Sequence, residues 1–242
     1  MIRRLLWITL GGSSLMAADV CPLPEHNGDI VTHSEFSYID SKGNSNTSSL
    51  AFEGNAKTKW DLHILRVHLD AYRASSDGET SKNKWSSEFN YDYQFDEVYS
   101  LNYMIGYKED HFSGYEYKFY TGPGIGMKAI DEKTQQLDFQ ANLLFGRDKP
   151  DNDDSENYFS TNLGGIYKWK IQENLKFIQE ATYRVKLDDT KYYFLYSKSA
   201  IESKINSTLS MGLSYKVDYA NTPPAPSLHT DRTFLASLII DY

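Results

Sequence analysis

The sequence predicts an all-β fold: a closed antiparallel transmembrane β-barrel of about twelve strands. Three observations predict it. Apolar and polar residues alternate along nearly the whole chain, the connections between alternating segments differ in length in a regular way, and the chain opens with the parts of a secretion signal. The alternation is plainest from Lys84 to Phe95 (K-W-S-S-E-F-N-Y-D-Y-Q-F). There Trp85, Phe89, Tyr91, Tyr93 and Phe95 share one face with Ser87, while Lys84, Ser86, Glu88, Asn90, Asp92 and Gln94 share the other. Successive strand side chains point to opposite sides, so one face is aromatic and the other polar. A barrel with lipid outside and water inside asks for this pattern in every strand.

The elements follow in order. Residues 1–18 read as a signal peptide, with Arg3 and Arg4 as the charged start, Leu5 to Leu10 as a short apolar stretch and Ala17 and Ala18 as the cleavage residues. Residues 19–27 form a periplasmic leader, and residues 28–242 form the barrel. Its first strands run over Gly28–Asp40, with Phe36 and Tyr38 on one face, Thr47–Lys57, with Leu50, Phe52, Gly54 and Ala56, and Leu62–Ala74, with Leu65, Val67, Leu69 and Ala71 opposite Arg66, His68 and Asp70. Lys84–Phe95 is the fourth, and Tyr99–Glu109 the fifth. Tyr115–Lys128, Gln135–Gly146, Phe159–Trp169 and Phe177–Leu187 continue in kind. Tyr192–Glu202 does not alternate cleanly, and its facing cannot be assigned. Ile205–Tyr219 and Thr230–Tyr242 complete the set.

Connections after the even strands are short (Thr58–Asp61, Asp96–Val98, Ile130–Thr134, Ile171–Asn174). Those after the odd strands are longer and more polar (Ser41–Asn46, Ser75–Asn83, Arg147–Asn157, Ala220–His229). Outer-membrane barrels place short turns in the periplasm and longer loops outside, so both termini are expected in the periplasm. A soluble β-sandwich would show shorter strands without this loop asymmetry.

Composition agrees. The chain has 242 residues, 40% hydrophobic but with 19 Tyr, 12 Phe and 4 Trp, which suits aromatic strands better than a leucine-rich core. No run approaches the ~18 apolar residues of a membrane-spanning helix, and a barrel needs none. The formal net charge of −8 gives no basic footprint for a nucleic acid. The single Cys21 excludes an internal disulfide, and Val20 before it disfavours lipid attachment. The last residue, Tyr242, ends an alternating strand with an aromatic, as in outer-membrane proteins taken up by the barrel-assembly machinery. That machinery, membrane lipid and lipopolysaccharide are the expected partners, and bacterial outer membrane the expected location.

Several segments resemble a known family. G-Y-K-E-D-H-F-S-G-Y-E-Y-K (Gly106–Lys118), followed by G-P-G-I-G-M-K (Gly122–Lys128), is similar to the hairpin of the salt-stress-induced outer-membrane protein family. K-G-N-S-N-T-S-S (Lys42–Ser49), V-D-Y-A-N-T-P-P (Val217–Pro224) and H-T-D-R-T (His229–Thr233) resemble its pattern too. The resemblance implies an outer-membrane barrel and an envelope-stress role; it implies no defined activity.

Candidate functional residues are those of the lumen and its mouth: Arg66, His68, Asp70, Lys108, Asp110, Glu116, Lys118 and Arg184. Lys108, Asp110, Glu116 and Lys118 should face inward near the outer mouth, as a charged rim or as ion pairs fixing a hairpin register. Arg66, His68 and Asp70 tempt a hydrolase reading, but alternate residues on one strand lie about 7 Å apart, too far for a bonded triad. Gly122, Gly124 and Gly126 precede no helix, so they are read as shaping the barrel and not as a phosphate loop. Asp148, Asp151, Asp153, Asp154 and Glu156 crowd one predicted outer loop that either holds a divalent cation or is simply solvated. The histidines show no metal-ligand spacing. No catalytic residue, cofactor or metal is therefore expected, and the chain reads as a non-enzyme. Inward charges of both signs (Arg66, Asp70, Lys84, Glu88, Asp92, Lys108, Asp138, Lys168, Glu180, Arg184, Lys186, Lys216) suggest a narrow polar lumen for ions or small solutes. A lipase- or protease-type barrel and a non-transporting structural or adhesion barrel are the alternatives.

Overall fold

Alternation can bury both faces of a single sheet only if the sheet curls until its edges meet. In the computed structural model it does so. The structure describes residues 21–41, 46–223 and 228–242; the proposed signal peptide lies outside them. Twelve strands follow one another: β1 (Ile30–Ser41), β2 (Thr47–Trp60), β3 (His63–Ser76), β4 (Glu79–Gln94), β5 (Tyr99–Asp110), β6 (Tyr115–Asp131), β7 (Gln135–Pro150), β8 (Glu156–Gln172), β9 (Leu175–Lys186), β10 (Tyr193–Lys204), β11 (Leu209–Ala220) and β12 (Thr230–Asp241). Each pairs antiparallel with its sequence neighbours, and β1 pairs with β12 to close the barrel. The seam is short, from His33↔Asp241 to Phe36↔Leu238, and Tyr242 extends it through two backbone hydrogen bonds with Thr32.

The predicted facing of the opening segment holds. Phe89 and Tyr93 are exposed on the outside, whereas Glu88, Asn90 and Asp92 are buried inside. Aromatics collect near both ends of the outer wall. Trp60, Phe95 stacked on Tyr99, and Trp169 lie near the end that carries the termini. Trp85, Tyr107 and Tyr117 form one run of ring contacts near the other end, and Tyr183, Tyr193 and Tyr219 form a second. Two such belts are what an outward face needs where hydrocarbon gives way to headgroups.

Two loop expectations are corrected. Ser75–Asn83 is no long loop: β3 and β4 run on to a two-residue turn at Asp77–Gly78, both with positive φ (51° and 86°). A tight hairpin with that twist favours Asp-Gly, because glycine bears left-handed φ without strain. Arg147–Asn157 also shrinks, since β7 reaches Pro150 and β8 starts at Glu156. The long strands carry their pairing past the belts, so loop length alternates less than the sequence suggested.

Candidate functional site

The inward face decides what the barrel can do. Much of it is filled by side chains: Met104, Leu144, Ile166, Ile178 and Ile239 are almost wholly buried, and so are His33, His68, Asn90, Asn162 and Lys198. Lys198 organises the polar part. It projects from β10 past β11 and β12, whose inward Ser214 and Ser237 leave room, and reaches two carboxylates on the far side of the seam besides Glu180, its register partner on β9. Its ammonium lies 2.9 Å from Glu53 Oε1, 3.2 Å from Glu35 Oε1 and 3.9 Å from Glu180 Oε1. Lys216 adds a bond of 2.8 Å to Glu53 Oε2 and stands 3.7 Å from Asp70. On the other flank His33 bridges Glu35 (3.3 Å) and Asp241 (2.6 Å). The outcome is one chain of charges, Asp241–His33–Glu35–Lys198–Glu53–Lys216–Asp70, crossing the lumen between strands far apart in sequence.

The opposite wall is closely packed. The Tyr120 ring lies over Gly106 on the neighbouring strand, and its hydroxyl donates to Glu88 (2.7 Å), which also accepts from Asn90 (2.8 Å). Gly124 sits in register between Asn102 and Asn142, and Asn142 donates to Asn102 (2.6 Å) across it. A Cβ on Gly124 would meet both amides and the Ala141 carbonyl, so the glycine is needed for this close approach. The glycine triplet therefore serves interior packing, as the sequence suggested.

A cavity lies at each end of this septum. The larger, about 160 Å³, opens beside the β5–β6, β9–β10 and β11–β12 connections, away from the termini. Its walls include Lys108, Asp110, Lys118, Asp148, Tyr158, Arg184, Lys186, Asp218 and Asp231. The smaller, about 70 Å³, lies toward the termini and is lined by Arg66, Asp92 and Asp138 among others.

The candidate residues therefore separate. Lys108, Asp110, Lys118 and Arg184 come together in the larger cavity. Glu116 does not join them: the register slips at Tyr115/Tyr117, and this β-bulge leaves Glu116 exposed while Tyr115 turns to the cavity in its place. Arg66 lies at the other end, bidentate on Asp92 (3.0 and 2.8 Å). His68 is buried with Nδ1 2.8 Å from Asn55 Oδ1, and Asp70 belongs to the Lys216 pair, so the three residues do not converge. The acidic loop also disperses. Asp148 is inward and buried, 3.6 Å from Lys118 and bonded to the Tyr158 hydroxyl, and Glu156 pairs with Lys186 at 2.9 Å.

Sequence reasoning missed Lys198, Glu35, Glu53 and Glu202. Ser197 and Ser199 face outward beside Lys198 and bond to Gln179, which blurs the alternation that would have given its facing. His33, Glu35 and Glu202 bring three ligand-type atoms within 4.8 Å of one another, a grouping that residue spacing along the chain could not reveal. Glu35 is already held by Lys198 and Glu202 by Lys176 (2.7 Å), so the group reads as part of the ion-pair network.

Comparison with known proteins agrees with the architecture. Residues 34–242 match the family described as "Protein of unknown function, DUF481". The uncharacterized protein YdiY of Escherichia coli K12 is 29% identical over 217 residues, covering 81% of each chain. Among solved structures, an outer-membrane channel from Pseudomonas putida F1 superposes with a TM-score of 0.52 at 10% identity, covering 93% of this chain and 97% of that one. The translocator domain of the autotransporter NalP from Neisseria meningitidis gives 0.49 at 9% identity, covering 90% of each chain. At 10% identity the channel structure speaks for the fold alone.

Proposed function

We propose that this chain, which belongs to the DUF481 family, is a bacterial outer-membrane barrel of the channel type whose resting state is shut at mid-height. The observation that carries this reading is Lys198, with 1% of its surface exposed, held by Glu35 and Glu53 from beyond the seam and by Glu180 on the adjacent strand. Removing both members of an ion pair from water is expensive, and the cost is met only where geometry and further bonds compensate. Such a network holds firmly while intact and fails when one member is lost, which is the behaviour of a closed gate. Ions and small solutes are the fitting cargo, because the cavities flanking the septum are small and carry both signs of charge.

The test is conductance in planar bilayers. Wild-type barrels should be silent or open only in brief, small events, and Lys198→Ala should conduct steadily with a preference for cations, because one positive charge is lost beside three carboxylates, of which Glu35 keeps only His33 and Glu53 only Lys216. A second reading, a barrel that transports nothing and serves the envelope structurally, is favoured by the same burial. It would be upheld if Lys198→Ala barrels that fold and insert stay silent. The envelope-stress role implied by the sequence resemblance is a separate part of the proposal, tested by whether the protein's abundance rises when cells are shifted to high salt.

A further inference from the structure

The cavity facing away from the termini contains a cation that the barrel itself does not neutralise. Lys118 has Asp148 and Lys186 has Glu156. Lys108 is buried beside the like charge of Lys84, with Asp110 and Asp218 also near it. Arg184 differs. Its guanidinium lies 4.1 Å over the Tyr120 ring, and its Nε and Nη2 are buried with no hydrogen-bond partner. Among the described residues it forms no ion pair. Stacking satisfies the face of a guanidinium and leaves the in-plane N–H groups, which suit a planar oxyanion, without an acceptor.

We propose that this cavity binds a small organic monoanion, a carboxylate carried on a flat ring-sized body, with the carboxylate against Arg184. Size, wall and charge each support the assignment. The volume, about 160 Å³, is close to that of the roughly 150 Å³ engineered cavity known to take up benzene. The rings of Tyr115, Tyr158 and Phe194 line it and offer flat apolar surface. Asp218 and Asp231 line the same cavity, so a second negative charge on the ligand would meet them and be rejected. The site does not depend on the barrel conducting: it lies beside the septum and is complete in the shut state.

The test is equilibrium dialysis of benzoate against the folded barrel in detergent micelles, with neutral benzyl alcohol of similar shape as comparator. Benzoate should bind saturably, and Arg184→Gln should weaken it about tenfold or more, the loss expected for one charge-assisted contact. Arg184→Lys should retain part of the affinity, as a point charge without the planar fork. Benzyl alcohol should bind weakly and equally to all three proteins. Ala220→Trp, which fills the cavity from two strands away, with Phe194 in register between it and an untouched Arg184, should abolish benzoate binding and serves if the arginine variants fail to fold. The proposal is overturned if folded wild-type protein shows no saturable benzoate binding. It is equally overturned if Arg184→Gln binds benzoate as tightly as wild type, or if filling the cavity changes nothing.

Discussion

Two inward-facing cations set two regions of this barrel apart. Lys198, in the septum, has three carboxylates within 4 Å; Arg184, in the cavity beside it, has an aromatic face and no carboxylate. Both lie on inward faces of adjacent strands, paired in register over Tyr193–Ser203 and Leu175–Val185. The septum has spent its charges on itself, which holds distant strands together and leaves nothing for a ligand. The cavity keeps one charge in reserve. A charged interior can thus serve closure in one layer and recognition in the next, and the count of partners around each cation tells which.

The largest expected effect comes from giving both cations the same apolar substitution. Lys198→Met takes from buried Glu180 the cation beside it and from Glu35 and Glu53 one of the two cations each holds, and should cost about 3–5 kcal/mol. Arg184→Met strands no carboxylate, and the loss of its ring contact should cost only about 1 kcal/mol. Urea unfolding of the barrels in detergent micelles measures both. Equal losses would erase the distinction between the two regions.

Next in size is Gly124→Val, on the packed wall of the septum. Its side chain would collide with Asn142, Asn102 and the Ala141 carbonyl, one of them immovable backbone. Overpacking of this kind costs about 1–3 kcal/mol and should also loosen the seal. A lower unfolding midpoint together with new conductance would tie that wall to closure; a lower midpoint in a silent barrel would confine closure to the Lys198 side.

The smallest effect is expected at Glu116. The β-bulge holds it outside the cavity, so Glu116→Gln should leave unfolding, conductance and benzoate binding unchanged. Lys118→Gln, on the same strand but lining the cavity 3.6 Å from Asp148, should alter ion selectivity. A Glu116 effect as large as that of Lys118 would put the bulge in the wrong place.

These contrasts also show what sequence could reveal. Facing was legible wherever a strand kept its lipid side apolar: the Tyr91/Asp92 alternation in β4 and the Phe234–Tyr242 alternation in β12 each fix inside and outside by period alone. The septum was not, for two physical reasons. Lys198 lies in the one strand whose outward face carries Ser197 and Ser199 at its centre, so period 2 lost its contrast there. Two of the carboxylates it meets come from β1 and β2 beyond the seam, and alternation says which way a residue points but not which residue waits across a lumen. That depends on strand stagger, which accumulates around the ring and is set by hydrogen-bond register. The bulge at Glu116 escaped for a related reason: one extra residue reverses the phase, and Tyr115 and Glu116 look equally suited to either side until their neighbours on β5 and β7 are paired. The Asp77–Gly78 turn, by contrast, was written in the sequence as Asp-Gly between two strands, and was obscured only by the polar residues that flank it.

The central claim is that the lumen is shut by its own side chains, and single-channel recording of purified barrels in a planar bilayer tests it most directly. The account predicts a quiet baseline for wild type and steady cation-selective steps for Lys198→Ala. A large, steady conductance from correctly folded wild-type protein would contradict it.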